Sequence, residues 1–308
     1  MAVFSKKETL TQNITYMALM AAINVIFVLL TTLVPFLLFL LVFILPFTSL
    51  VVAYFCKKRY FIIYALATVL LCIVTTIWNF QDTLFYVVPS IFSGFVFAFL
   101  IEEKVPPIFI ILVTTIVQAA LTYPMIPLIQ LIYERDIVYD FINVFGLSEF
   151  AFPQYLKHIF IFILALIQEV FSFIIIQDEL KRVTIEIYET DNEEVFLSIL
   201  IGVFSLFLLL FTFIFPEISY IFVIMSLFVS VYLTATLLLA KKTIVNVLIV
   251  ISLIITFLLV AALFNVLNEN EPLGLITLIV YPILVAVISL LNKYLFINIK
   301  PYKIDGKE

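Results

Sequence analysis

Glu169 falls in the middle of a long apolar run, LALIQEVFSF, in a chain that is otherwise sparing with ionisable side chains. A carboxyl group at mid-membrane depth costs roughly 2.5–3.5 kcal/mol on insertion scales, so it must face a bundle interior or a wet cavity. Two kinds of chemistry suit such a group: holding a ligand or a proton, or a structural hydrogen bond to another helix. Gln168 precedes it, but adjacent helical residues point about 100° apart, so the two are not expected to share one narrow stripe. Asn24 and Gln118 lie at similar depth in other runs, where amides join helices by about 0.6–2 kcal/mol. Gln118 is a candidate both for the ligand site and for pairing with Glu169. Asn246 and Asn292 lie nearer the ends of their runs and read as interfacial.

A second polar group gathers where several runs end on one side: Trp78, Asn79, Gln81, Asp82, Tyr86, Tyr123, Gln130 and His158. An aromatic belt at the membrane surface accounts for the Trp and Tyr residues. The alternative is the rim of an outward-facing pocket in which a planar ligand stacks. Pro124 and Pro127, in YPMIPLIQ, are expected to kink or end their helix beside that rim. His158 is the only histidine, which argues against a multi-histidine metal site. There is no Walker loop, no His/Glu pair at metal-ligand spacing, and no Ser-His or paired-carboxylate arrangement in the apolar runs. The expectation is a protein that is no enzyme and carries no cofactor and no metal.

The elements that must position these residues follow from composition. Of 308 residues, 65% are hydrophobic and 12% charged, with a mean hydropathy of +1.29. Soluble domains are roughly 45–50% apolar and about 25% charged, so a water-soluble enzyme, a nucleic-acid-binding module and a disordered chain are excluded. The runs are continuous over twenty or more residues, as in 195–215, which favours helices over the alternating strands of a membrane barrel. The fold class is all-α, a polytopic helical membrane protein with about ten transmembrane helices. The predicted spans are 12–34, 36–55, 60–78, 83–101, 107–130, 156–177, 195–215, 218–240, 243–267 and 273–297.

Basic residues test that count. With the N-terminus in the cytoplasm, fourteen of the sixteen fall on the inner side, leaving Arg135 and Lys157 outside. A multi-pass protein of the cell membrane with both termini cytoplasmic is therefore expected. The outer 134–155 loop mixes acids with Ile, Val and Phe, as a lid or an interfacial segment does. The inner stretch at 183–194 is strongly polar and divides the chain into modules at 1–182 and 195–308. Pro46 and Pro89 have no counterparts in the seventh and ninth helices, so an inverted repeat is unsupported. Cys56 and Cys72 have neither disulfide nor metal-site character.

Ala18 and Ala22, in YMALMAAINV, form a small-xxx-small pair on the first helix, a face that lets another helix approach closely. The opening TQNITYMALMAAINVIFVLL resembles the first helix of the substrate-binding S components of energy-coupling factor (ECF) transporters. The stretch FYVVPSIFSGFVFAFLIEEKVPP is similar to a segment of the related YybS-like bacterial membrane family. The resemblance implies a six-helix S-component-like module over 1–182, with four extra helices after it. It implies that Ala18 and Ala22 face a transmembrane T component, itself joined to ATPase subunits. It further implies substrate binding near the outer ends of helices four to six, at Tyr86, Tyr123 and the 134–155 loop, with Glu169 below.

The expected function is a membrane-embedded substrate-binding subunit for uptake of a small, vitamin-like solute, energised by separate subunits. Its substrate contacts would be Glu169, Gln118, Trp78, Asn79, Tyr86, Tyr123 and His158. The alternatives are a non-transporting scaffold of an envelope or signalling complex, in which protein groups satisfy Glu169, and a proton-coupled secondary transporter. The partners expected are the lipid bilayer, a small-molecule ligand and the energising subunits, with no nucleic acid.

Overall fold

The computed structural model of the chain describes residues 5–34, 37–77, 83–134, 153–182, 193–239, 243–269 and 276–294. Among them every regular element is helical. The α-helices are α1 Leu10–Leu33, α2 Leu38–Phe55, α3 Phe61–Thr75, α4 Val88–Glu102, α5 Pro107–Tyr133, α6 Pro153–Arg182, α7 Glu193–Thr212, α8 Pro216–Leu239, α9 Thr243–Glu269 and α10 Val280–Tyr294. Seven helical stretches of the described residues are long and apolar enough to cross a membrane, and Ile44–Phe55, Ile161–Gln177 and Ile244–Leu259 are shorter apolar ones. The protein is a helical membrane protein.

Local chemistry sets the helix ends. Thr9 caps α1: its hydroxyl accepts from the Gln12 N–H at 3.2 Å, and the Gln12 side chain accepts from the Thr9 N–H at 3.3 Å. That reciprocal pair satisfies two of the donors a helix start leaves open. The fourth predicted span begins at Thr83 as a π turn, Thr83–Val87, and becomes α-helical at Val88. Pro89 has no N–H to return to the preceding turn, and the wider turn sits directly before it. Pro124 and Pro127, expected to kink or end their helix, do not end it. The α5 helix runs through both to Tyr133, and both prolines face outward.

The chain divides into two compact units, Met1–Glu189 and Thr190–Glu308. In the first, α4 packs on α2 and α5, α6 on α5 and α2, and α1 on α2 and α3. The outer faces are apolar: Ile62, Ile63, Leu66, Leu70 and Val74 of α3 are all exposed. The interior carries the amides and hydroxyls instead, the arrangement expected where lipid surrounds the fold. Asn24 joins three helices, its Nδ2 donating to the Tyr64 hydroxyl at 2.8 Å and its Oδ1 accepting from Thr48 at 2.7 Å.

In the second unit α7 packs on α8 and α10, and α9 on α10. Leu208, Val223 and Ile279 form its apolar centre, with Phe222 stacked on Phe207 and Phe211 at 5.4 and 5.7 Å between ring centres. Two acids open α7, and both are used. The Tyr232 hydroxyl donates to Glu193 Oε1 at 3.1 Å, and Asn292 Nδ2 donates to Glu194 Oε2 at 3.4 Å. Asn292 reads from the sequence as interfacial. It is buried within the unit, and this bond ties α10 to the start of α7.

Candidate functional site

Buried polar side chains of the first unit converge where α4, α5 and α6 meet. Glu169 has no exposed surface, about 20 Å along α6 from Arg182 at the usual helical rise. The α6 helix offers a broad buried face, through Ile161, Ala165, Gln168, Glu169, Ser172, Ile176 and Leu180, with Ile163, Ile167, Phe171 and Ile174 on its outer side. It packs on α5 and on α2, so its covered surface is wider than one stripe. Gln168 and Glu169, about 100° apart, are not expected to share one narrow stripe, and this wider face takes in both. Both are buried, and they serve different neighbours.

Gln168 belongs to a chain of side-chain bonds. Gln118 Nε2 of α5 donates to Gln168 Oε1 at 3.1 Å, and Gln168 Nε2 donates to the Ser90 hydroxyl of α4 at 2.7 Å. Three helices are thus joined at one level, as amides in membrane interiors commonly do. Gln118 holds Gln168 rather than Glu169.

Glu169 lies one level along, where the hydroxyls of Ser93 on α4 and Thr114 on α5 face it. Neither closes a hydrogen bond with it, and both carboxyl oxygens are buried without a partner. Each hydroxyl has one hydrogen to give, and each gives it to its own helix: Ser93 to the Ser90 carbonyl at 3.1 Å, Thr114 to the Ile110 carbonyl at 2.7 Å. Nearly all buried polar groups in folded proteins are bonded, so an orphaned carboxyl here is an exception that calls for a reason. Chemically, it can receive a proton, a cation or the amine or hydroxyl of a ligand. Among the described residues no cluster of His, Cys, Asp and Glu could hold a metal ion.

Of the remaining expected contacts, Tyr86 and Tyr123 are described in full. Tyr86 is buried in the π turn before α4, edge-on to Phe85 with 4.9 Å between ring centres. Tyr123 is half-buried on α5, between one and two turns beyond Gln118. Trp78, Asn79, Gln81, Asp82 and residues 135–152 of the loop lie outside the described residues, as does the side chain of His158, whose backbone belongs to α6. Ala18 and Ala22 lie on the exposed side of α1, while Ala21 between them is buried. Cys56 and Cys72 are both free and buried.

Ser90, Ser93, Thr114 and Gln168 were not legible as site residues in the sequence. Serine and threonine are ordinary in membrane helices, where they usually bond to their own backbone, so only the convergence of three helices marks these. No protein-family model, no curated protein and no solved structure matches the chain.

Proposed function

We propose that this protein is a membrane-embedded substrate-binding subunit for uptake of a small solute, working with separate energising subunits. The carrying observation is Glu169: a carboxyl group with no exposed surface and no hydrogen-bond partner, at the junction of three helices. The scaffold reading requires protein groups to satisfy that carboxyl, and Gln118, the amide best placed by sequence to do so, bonds to Gln168 instead. A protein that keeps an unsatisfied carboxyl in its centre bears a folding cost for it, and ligand capture is a use that offsets the cost. The likeness of the first helix to ECF S components supports the same reading. So does the outward placement of Ala18 and Ala22, which suits docking against a transmembrane T component. In this reading the chain crosses the cell membrane about ten times, with both termini cytoplasmic, as the distribution of its basic residues favours.

The test is purification of the wild type and of Glu169→Gln in mild detergent, followed by mass spectrometry of the small molecules each retains. A solute held by the wild type and lost from the variant supports the reading. Identical sets of bound molecules overturn it.

A further inference from the structure

Away from Glu169, the first unit has a second polar assembly where the segment before α1 meets the ends of α2 and α4 and the start of α3. A cavity of about 560 Å³ lies there, with Lys6, Lys7, Lys57, Lys58, Glu8 and Glu102 in its walls and Ala53 and Phe55 as apolar lining. Sites for small molecules commonly measure roughly 300–1,000 Å³. Four lysines against two glutamates leave the lining cationic. One of those acids is shared, because Glu102 pairs with Lys6 at 3.0 Å through one oxygen and with Lys58 at 2.6 Å through the other.

The walls are built, not merely adjacent. Asn13, fully buried, donates to the Lys7 carbonyl at 3.0 Å and accepts from the Lys57 N–H at 2.8 Å. The Lys7 N–H in turn donates to the Phe55 carbonyl at 2.8 Å. One side chain therefore fixes the backbones that carry Lys7 and Lys57. Rings steer the ammonium groups: Lys6 sits 4.4 Å over Tyr54, Lys7 4.5 Å over Tyr16 and Lys58 5.0 Å over Phe99. Lys58 also opens the turn that leads into α3, so the positive end of that helix adds to the same wall.

We propose that this cavity binds a phosphoryl anion. Lysine ammonium groups are the compact cations that phosphate sites use, and a basic pocket between the ends of membrane helices lies at headgroup depth, where anionic lipids are recognised. The apolar lining from Ala53 and Phe55 suits the glycerol end of a lipid. A free phosphate shares the same recognition chemistry, and the two sources separate by experiment. The site does not depend on the role of Glu169, so either can fail alone.

The full-length protein in an uncharged maltoside detergent is heated with phosphatidylglycerol, with phosphatidylcholine, or with inorganic phosphate, ionic strength being held constant with chloride. A rise in melting midpoint with phosphatidylglycerol and not with phosphatidylcholine assigns a lipid headgroup. A rise with inorganic phosphate assigns a soluble anion. Lys57→Gln, at an exposed position, is expected to weaken the effective ligand about fivefold, in line with the loss of one cation near a lipid surface, and Lys7→Gln with Lys57→Gln more. Should the double variant not fold, Lys57→Gln alone decides. The proposal is overturned if phosphatidylglycerol acts no differently from phosphatidylcholine and phosphate has no effect, or if Lys57→Gln responds as the wild type does.

Discussion

Gln118 and Gln168 meet side chain to side chain, Nε2 to Oε1 at 3.1 Å, and the bond joins α5 to α6 without using Glu169. Gln168 then passes the connection on to Ser90 of α4 at 2.7 Å. Of the two amides, Gln168 has the larger role, because its loss strands polar groups on two helices. Gln168→Ala is expected to cost about 1–2 kcal/mol and Gln118→Ala about 1 kcal/mol, within the range of interhelical bonds in membranes. Thermal unfolding in detergent checks both. The double variant should cost less than the sum of the two, because the shared bond is then counted once. Strict additivity would show that the bond contributes nothing.

Glu169 predicts the opposite sign. An unsatisfied buried polar group carries a desolvation penalty of about 1–3 kcal/mol that an apolar side chain of similar volume does not, and here no hydrogen bond is lost, since neither oxygen has a partner. Glu169→Met should leave the melting midpoint unchanged or raise it while abolishing retention of the bound solute. A marked fall in midpoint would mean that the carboxyl is structural and that the binding role is misassigned.

Much of the helical layout was legible because lipid imposes a single ruler. A run of about twenty apolar residues is needed to cross, and the predicted 107–130 and 243–267 compare with Pro107–Tyr133 and Thr243–Glu269. The bonds of Asn24 to Tyr64 and from Thr48 likewise agree with its reading as interhelical glue. What the pattern could not show was how wide a face each helix buries. A 100° step keeps Gln168 and Glu169 off one narrow stripe, and contact of α6 with both α5 and α2 buries both. The prolines of α5 do not end their helix, for a related reason. A proline clashes with and unpairs one carbonyl of the preceding turn, yet at outward-facing positions that local fault leaves the inner face continuous.

Ala18 and Ala22 offer a separable test of partner docking. Both are exposed on α1, so Ala18→Leu with Ala22→Leu meets no packed neighbour and should shift the melting midpoint little, within about 0.5 kcal/mol for an outer-face change. The same pair should abolish copurification with a T component, because two leucines hold an approaching helix away. Unchanged copurification would remove the docking role.

Cys56 gives a prediction in pH. Burial pushes its thiol up from 9.0 to about 11, against the opposing pull of the nearby Lys7 ammonium. The thiolate is the reactive form, so at neutral pH its population should be about a hundredfold below that of an unshifted thiol. Alkylation by a maleimide, followed residue by residue with mass spectrometry, should be slow at pH 7.5 and accelerate tenfold per pH unit until about pH 11. Denaturation at pH 7.5 should abolish the protection. Rapid labelling of the folded protein at neutral pH would contradict the burial of this thiol beside the Lys7 segment.

At Gly94, α4 approaches α2 closely. A Cβ placed there would run into the Pro46 carbonyl oxygen and lie 2.7 Å from the Ser49 Cβ. Neither neighbour gives way cheaply, since the first is backbone and the second is the first atom of a side chain. Gly94→Ala should therefore cost about 1–3 kcal/mol as overpacking, despite alanine being the better helix former by about 1 kcal/mol. The melting midpoint in detergent reads the sum of the two. Ser49→Gly should not rescue Gly94→Ala, because the shorter contact is with the Pro46 backbone. At Gly202, where an added Cβ would meet nothing within 4 Å, the same substitution carries only the propensity gain and should stabilise. If Gly94→Ala were as benign as Gly202→Ala, α2 and α4 would have to stand further apart than these distances allow, and the Asn24–Thr48 bond on the same stretch of α2 would move with them.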